Sequence, residues 1–537
     1  MSDFTWAPPG DGVWWLTREH FPTPVSALFA TLFPPVTAGW TRGAARYGLP
    51  LGPSRWAAVN SWLYYSPGPE PANPAALADA ARETLATKRW RDEVRRWIDI
   101  ERPLVVAENR SLQAVDPTAV SDAELREHFE HAVAHFATAA PLHFEHTGFD
   151  VAAGRLFLAV REWDIDPAAV AQLLAGASPA SSAAAGHLDR IAAAVAGAAT
   201  PSSLADVRAA GPGAAAALDA YLDDYGWRLL SNDVAAPTLA ERPDVVVTTI
   251  RARVEGTAAA PRTGEPGVDA IRSRILLAER ARFDELLADA RLTYGLRDDD
   301  VGVCYSWPLG LVRRAVLEAG RRLVSLGVLL DADHLFEGDP AEISALITGD
   351  RRPAGALADR FERRAAAAHA EPPLQLGEMT EGPGTSDAAV PPEVQELVDA
   401  RAAYWGVDPR GPKERLRGTG IGSGSARGRA CVIDAPDAVE QIEPGDVLVA
   451  TMTTSAHNAL FPIAAAVATA EGGLFSHAAI LARELGIPAV VGVEELLDEI
   501  HTGDVVEVDP VAGTVTLVAA FGREPVVEPV LLHKQVR

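Results

Sequence analysis

The sequence predicts a multidomain chain: a mainly α-helical N-terminal domain followed by a compact α/β domain. Three observations carry this reading. Apolar residues recur at helical spacing up to about residue 370. The chain then runs AEPPLQLGEMTEGPGTSDAAVPPE from Ala370 to Glu393, rich in Pro, Gly and acid. From about Gly418 short β-prone runs alternate with helical ones. The expected boundaries are 1–369 for the helical domain, 370–414 for a linker with a short helix, 415–520 for the α/β domain, and 521–537 for a tail.

In the first region, Pro74 to Trp97 reads as a helix with a basic end. Ser121 to Ala140 opens with Ser-Asp-Ala-Glu, a capping box in which Ser121 and Glu124 satisfy each other's backbone amides. Further helical periods run through Asp166 to Ala175, Leu188 to Ala196, Ala214 to Tyr225, Val268 to Tyr294, Pro308 to Leu326 and Pro340 to Thr348. The 370–393 stretch buries too little apolar surface to hold one structure and is expected to be mobile. A helix is expected over Glu393 to Ala403. In the last region the expected strands are Gly428 to Ile433, Val447 to Thr451, Ala465 to Thr469, Ala489 to Val493, Val505 to Val508 and Thr514 to Val518. Helices are expected over Asn458 to Ile463, His477 to Leu485 and Glu494 to Glu499.

Composition narrows the function. The 537 residues carry 48 Lys plus Arg against 73 Asp plus Glu, a net charge of −25. Such a surface repels phosphate backbones and anionic lipids, which argues against nucleic-acid and membrane partners. Only Lys88, Lys413 and Lys534 are lysines. Two cysteines, Cys304 and Cys431, make neither a disulfide framework nor a four-cysteine zinc site. With no basic, apolar leader at Met1 to Pro9, a cytoplasmic setting is expected.

The chemistry concentrates in AEGGLFSHAAILARELGIPAVVGV, Ala470 to Val493. Gly472 and Gly473 permit a close backbone approach. Ser476 is an N-cap, Gly486 a C-terminal stop, and Pro488 forbids continuation. His477 therefore sits in the first turn of a helix, where free amides and the dipole favour an anion. An imidazole is a competent nucleophile, and a phosphoryl group on it would lie in a favourable field. A lone histidine would more often just pack at a helix start. Here the whole stretch resembles the signature of the phosphohistidine swivelling domain in phosphoenolpyruvate-utilising enzymes. The matching residues are Glu471, Gly472-Gly473, Ser476 to Ile480, Ala482-Arg483-Glu484 and Gly486 to Val490, with Gly420 to Ala430, Pro444 to Val449, Gly503-Asp504, Val508-Asp509 and Gly513 around them. The resemblance covers about residues 415 to 518. It departs from the family at Phe475, where a regulatory threonine stands in pyruvate phosphate dikinase, and at Thr454-Ser455-Ala456, where Thr-Asp-Pro is usual. Thr454 is either a phosphoryl contact or a turn residue.

A weaker resemblance links WWLTREHFPTPVSAL, FDELLADARLTYGLRDDD and LVRRAVLEAGRRLVSLGVLLDADHLF to the helical substrate-binding domain of rifampin-phosphotransferase-like proteins. The resemblance implies that His477 carries a phosphoryl group, stabilised by Gly472, Gly473, Ser476 and Thr454, to a small-molecule acceptor bound in the helical domain. His143, His146 and Arg228 are candidates for binding it. His128, His131 and His135 share a helix face, read as solvated or satisfied, and no metal site is expected. The family's ATP-grasp and TIM-barrel domains find no counterpart in the sequence, and no G-x-x-x-x-G-K-[ST] loop occurs. The expectation is thus the acceptor half of a split phosphotransferase acting on a hydroxyl or carboxylate, with activation for dehydration as a variant. A separate ATP-grasp protein would bring ATP and Mg²⁺, and no cofactor would be held tightly here. Whether ATP or phosphoenolpyruvate is the ultimate donor stays open. The alternative is a non-catalytic binding or scaffold subunit with a relic swivelling domain.

Overall fold

The computed structural model describes residues 4–18, 20–69, 71, 73–256, 267–378, 390–405, 415–433, 441–453, 457–458 and 460–521. Thr454 lies outside the described residues, as do 379–389 and 406–414 of the expected linker and 522–537 of the expected tail.

The helical region is organised around Asp122–Glu145. Its start is the capping box read from sequence: Ser121 Oγ accepts the Glu124 amide and Glu124 accepts the Ser121 amide. Leu125, Phe129, Ala132 and Phe136 form its buried stripe at helical spacing. They pack with the helix Trp307–Ser325, whose Leu309, Val312 and Val316 are buried in the same core. Gly148–Glu162 lies between Arg280–Tyr294 and Pro392–Trp405. At Gly154 a side chain would collide with the Ala400 carbonyl, so glycine sets the close approach of Pro392–Trp405. The helix expected after the linker is therefore docked onto the helical region.

Several elements differ from the sequence expectation. Pro74 to Trp97 is two helices, Pro74–Thr87 and Arg89–Arg96, because Lys88 between them is left-handed at φ 53°. A π-turn at Trp97–Glu101 then continues into Arg102–Ala114. Val268 to Tyr294 also divides, into Val268–Arg274 and Arg280–Tyr294, and the Arg280 guanidinium donates to the freed carbonyls of Ile275 and Ser273. The region also holds an antiparallel sheet that the periodicity did not reveal. Its order is Arg55–Val59, Trp62–Ser66, Trp14–Leu16, Gln375–Leu376. Asn60 and Ser61, at φ 50° and 67°, make the hairpin turn. Gln375–Leu376, within the expected linker, pairs with Trp14 and Trp15.

The C-terminal region is a seven-stranded sheet. Its order is Thr514–Ala519, Val505–Asp509, Ala426–Val432, Val447–Ala450, Ala466–Thr469, Ala489–Val491, Thr419–Ile421. The four strands from Ala426–Val432 to Ala489–Val491 run parallel, and their flanking neighbours are antiparallel. The central strands are buried on both faces, as parallel strands require. Where a helix is expected at Asn458 to Ile463, the described residues are 3₁₀ or turn rather than α-helical, with a 3₁₀ turn over Phe461–Ile463, as suits Pro462, which has no amide to donate. One sheet face and the helix His477–Leu485 share a core with Leu188, Ile191, Leu218 and Ile250 of the helical region. No helix among the described residues is long and apolar enough to cross a membrane.

Candidate active site at the interface of the two regions

The strand Ala466–Thr469 delivers the chain to Gly472, which is left-handed at φ 119°. A side chain there would collide with Ser476. The Gly473 carbonyl accepts the Ser476 amide at 3.0 Å, and Ser476 Oγ caps the helix by accepting the Ala479 amide at 3.4 Å. Gly486, at φ 70°, closes the helix with bonds to the Ala482 and Arg483 carbonyls. Gly472, Gly473 and Ser476 thus shape the turn that presents His477, as read from sequence.

His477 is buried, at 9 % exposure. Its Nδ1 lies 3.2 Å from Asp298 Oδ1 and its Nε2 lies 2.7 Å from Asn458 Oδ1. A carboxylate only accepts, so Nδ1 carries a hydrogen, and in the neutral ring Nε2 keeps the lone pair. The Asn458 amide, turned by half a rotation, then donates to Nε2; this orientation is assigned from partner chemistry. The rest of the helix is fixed across the same interface. Arg483 donates to Tyr294 Oη at 2.6 Å, and Glu484 accepts the Gly176 amide at 2.9 Å. Phe475 stacks on Tyr404 with centroids 4.9 Å apart and packs against Phe157. Burial pushes the Glu484 carboxyl up to about 7, despite the Gly176 and Ser178 amides that favour its charged form.

Asp298 belongs to the short helix Leu296–Asp300, which gathers the other candidates. His143 Nδ1 donates to Asp300 Oδ1 at 2.7 Å, and His146 Nδ1 donates to Asp300 Oδ2 at 2.6 Å. His146 Nε2 donates to Glu101 at 3.1 Å, which also accepts from Arg96 Nε at 2.6 Å. Burial alone would lower the His146 pKa. The bonds to Asp300 and Glu101 outweigh it and raise the ring to about 10. Arg228 packs against Gly302, two residues beyond Asp300, with its guanidinium 4.4 Å over the Tyr225 ring. Arg297 lies 4.6 Å over the Trp405 ring, and its buried Nη1 has no hydrogen-bond partner among the described residues.

Residues 297–302 therefore link His477, His143, His146 and Arg228. Sequence reasoning missed Asp298, Asp300, Glu101 and Asn458. The available signal was Asp298-Asp299-Asp300 directly before the apolar run Val301 to Tyr305. Of the histidine trio, His128 is buried with its pKa lowered to about 4 by burial, His131 pairs with Glu108, and His135 bonds Asn109. No group of three or more His, Cys, Asp or Glu suited to a metal ion occurs among the described residues.

Two family models match. Residues 442–513 match the mobile domain of PEP-utilising enzymes. Residues 148–298 match the rifampicin phosphotransferase fourth domain, ending at the residue that touches His477. Chondramide synthase cmdD of Chondromyces crocatus is 32% identical over 325 residues, 56% of this chain and 8% of that protein. A rifampicin phosphotransferase of a Streptomyces species is 31% identical over 335 residues, 57% of this chain and 35% of that one. A probable phosphoenolpyruvate synthase of Pyrococcus abyssi is 47% identical over 100 residues, 19% of this chain and 12% of that one. The chain spans 36% or less of the length of the first curated relatives it matches. Two parts of the chain, 442–513 and 148–298, are thus similar to the mobile domain of PEP-utilising enzymes and to the rifampicin phosphotransferase fourth domain.

Proposed function

We propose that the chain is the carrier and acceptor part of a phosphotransferase, with His477 as the phosphoryl carrier. The observation that supports it is the pairing of His477 Nδ1 with Asp298, which makes Nε2, released from Asn458, the nucleophile beside a helix start. A donor phosphoryl group would bond to Nε2 while the nucleotide leaves. An acceptor oxygen would then attack phosphorus, the P–Nε2 bond would break, and the acceptor proton would go to solvent. Asp298 holds the ring in one tautomer in the docked arrangement, where delivery takes place. Arg297, the next residue, is a cation available for the transferring charge.

The acceptor we assign is a small organic hydroxyl or carboxylate bound near residues 297–302, with His143, His146 and Arg228 in its surroundings. Phosphorylation of a hydroxyl there could also prepare it for elimination. The donor we assign is ATP, with its Mg²⁺, on a separate ATP-grasp protein. Incubation with such a protein and ATP should give an acid-labile, phosphoryl-sized mass increase on the peptide bearing His477. A chain that acquires no such adduct from any ATP-grasp donor fits the scaffold reading instead.

A further inference from the structure

The helix Leu296–Asp300 runs on into the π-turn Val301–Ser306. Asp298 and Gly302, four residues apart, therefore share a face and lie about 6 Å apart along the axis. At Gly302 the Arg228 guanidinium rests between the backbone and the Tyr225 ring, 4.4 Å from the ring centroid. A side chain at Gly302 would collide with Nη1, so glycine makes the room for it. Arg228 Nε is buried with no hydrogen-bond partner among the described residues.

The carboxylates that act on Arg228 are Asp299 and Asp224, and other groups hold both. Asp299 accepts from Arg102 Nε at 2.7 Å and from the Trp97 indole at 2.8 Å. Asp224 accepts from Arg110 and faces His187 Nε2 at 3.2 Å. Arg102 thus matches Asp299 and Arg110 matches Asp224, which leaves the Arg228 charge over. Burial, ahead of these charges, lowers its pKa. A water molecule would satisfy the Nε hydrogen but not the charge.

The open edge selects the anion. Nη1 stands closest to Gly302, so the edge bearing Nε and Nη2 is the one left to a ligand. Arg313 offers that same edge to Glu241, at 2.8 and 3.0 Å, and Arg242 offers it to Asp244. A carboxylate fits it with two parallel bonds. One unmatched positive charge suits a monoanion, which favours a carboxylate over a more highly charged phosphate.

We propose that Arg228 binds a small carboxylate through Nε and Nη2, with Gly302 and Tyr225 holding the guanidinium in place. That this ligand is the phosphoryl acceptor, held about one helical turn from the residue that orients His477, rests on the phosphotransferase reading; the carboxylate site itself does not.

Thermal unfolding of the intact chain in sodium acetate, against sodium chloride at equal ionic strength, tests it. Acetate should raise the unfolding temperature and saturate, with acetamide and inorganic phosphate each at least tenfold weaker. Arg228→Met should weaken acetate at least tenfold. Gly302→Ala should do the same, because the added methyl displaces the guanidinium without removing its charge, and it serves alone if the methionine variant does not fold. No saturable acetate effect, or an equal effect of acetamide, overturns the site, and a preference for phosphate overturns the ligand class. Parental acetate binding in either folded variant overturns the role of Arg228. A chain that binds acetate as expected yet never acquires phosphohistidine would keep this site and lose the carrier reading.

Discussion

His477 Nδ1 and Asp298 Oδ1, 3.2 Å apart, join the two regions of the chain at the proposed reacting group. The histidine opens a helix of the C-terminal sheet domain, and the aspartate sits on a short helix of the helical region. The same short helix holds His143 and His146 through Asp300. The carrier is thus docked against the segment that organises the candidate acceptor residues.

His477→Ala should abolish phosphoryl transfer and leave the fold intact. Alanine keeps the helix start and gives up the Asp298 and Asn458 contacts, so the loss falls on docking rather than on either core. Mass analysis should find no adduct, and circular dichroism should match the parent. An adduct of parental yield in this variant would remove His477 from the carrier role.

Asp298→Asn should separate loading from delivery. The carboxylate orients the ring only where the two regions meet, so loading from a donor should persist. Delivery should slow roughly ten- to hundredfold, the cost of a misplaced reacting group. Rapid-quench assays should then show phosphohistidine accumulating while product formation lags. Equal slowing of both steps would mean that Asp298 acts on His477 regardless of docking.

The C-terminal domain was legible because its signals are local. Ser476, His477 and Gly486 stand at fixed offsets, and hydrophobic runs such as Val447–Ala450 mark parallel strands without any partner being known. The N-terminal sheet was not legible, since Trp14 pairs with Leu376 from the far end of the helical region. No periodicity reports such a pairing. The site divides in the same way. His477 announces itself by its neighbours, whereas Asp298 and Asp300 belong to an acidic triplet that matches no catalytic motif. Only tertiary packing buries those two, at 5% and 0% exposure. Lys88 broke a helix that its sequence supports, because left-handed backbone at a lysine leaves no compositional trace.

His146 should make stability fall at alkaline pH. Its folded value is about 10 against an ordinary 6.5, because the Asp300 and Glu101 bonds outweigh burial. A raised folded value means stability that is full below 6.5 and is lost as pH rises through about 10. Urea unfolding should therefore show a lower midpoint near pH 10 than near pH 7. His146→Gln should be less stable near pH 7 and show a flatter dependence on pH. Parallel curves for parent and variant would assign the alkaline loss to other groups.

Glu484 should make docking of the two regions depend on acidity. In the docked state its carboxyl is raised from 4.5 to about 7, chiefly by burial. Undocking exposes the side chain and returns it towards 4.5. Protonation therefore favours the docked state, so this contribution is complete below 4.5 and is lost as pH rises through about 7. The Gly176 amide bonds persist in both forms, because a protonated carboxyl still offers an acceptor oxygen. What changes is the cost of leaving a buried carboxylate among Gly176, Ser178, Arg483 and Asp298, the groups that face it. Hydrogen exchange at the Gly176 amide and in the helix His477–Leu485 should be slower at pH 5 than at pH 8, after correction for intrinsic rates. Glu484→Gln mimics the protonated form, so its corrected exchange should stay slow at both pH values. If the glutamine variant keeps the parental pH dependence, another group at the interface titrates instead.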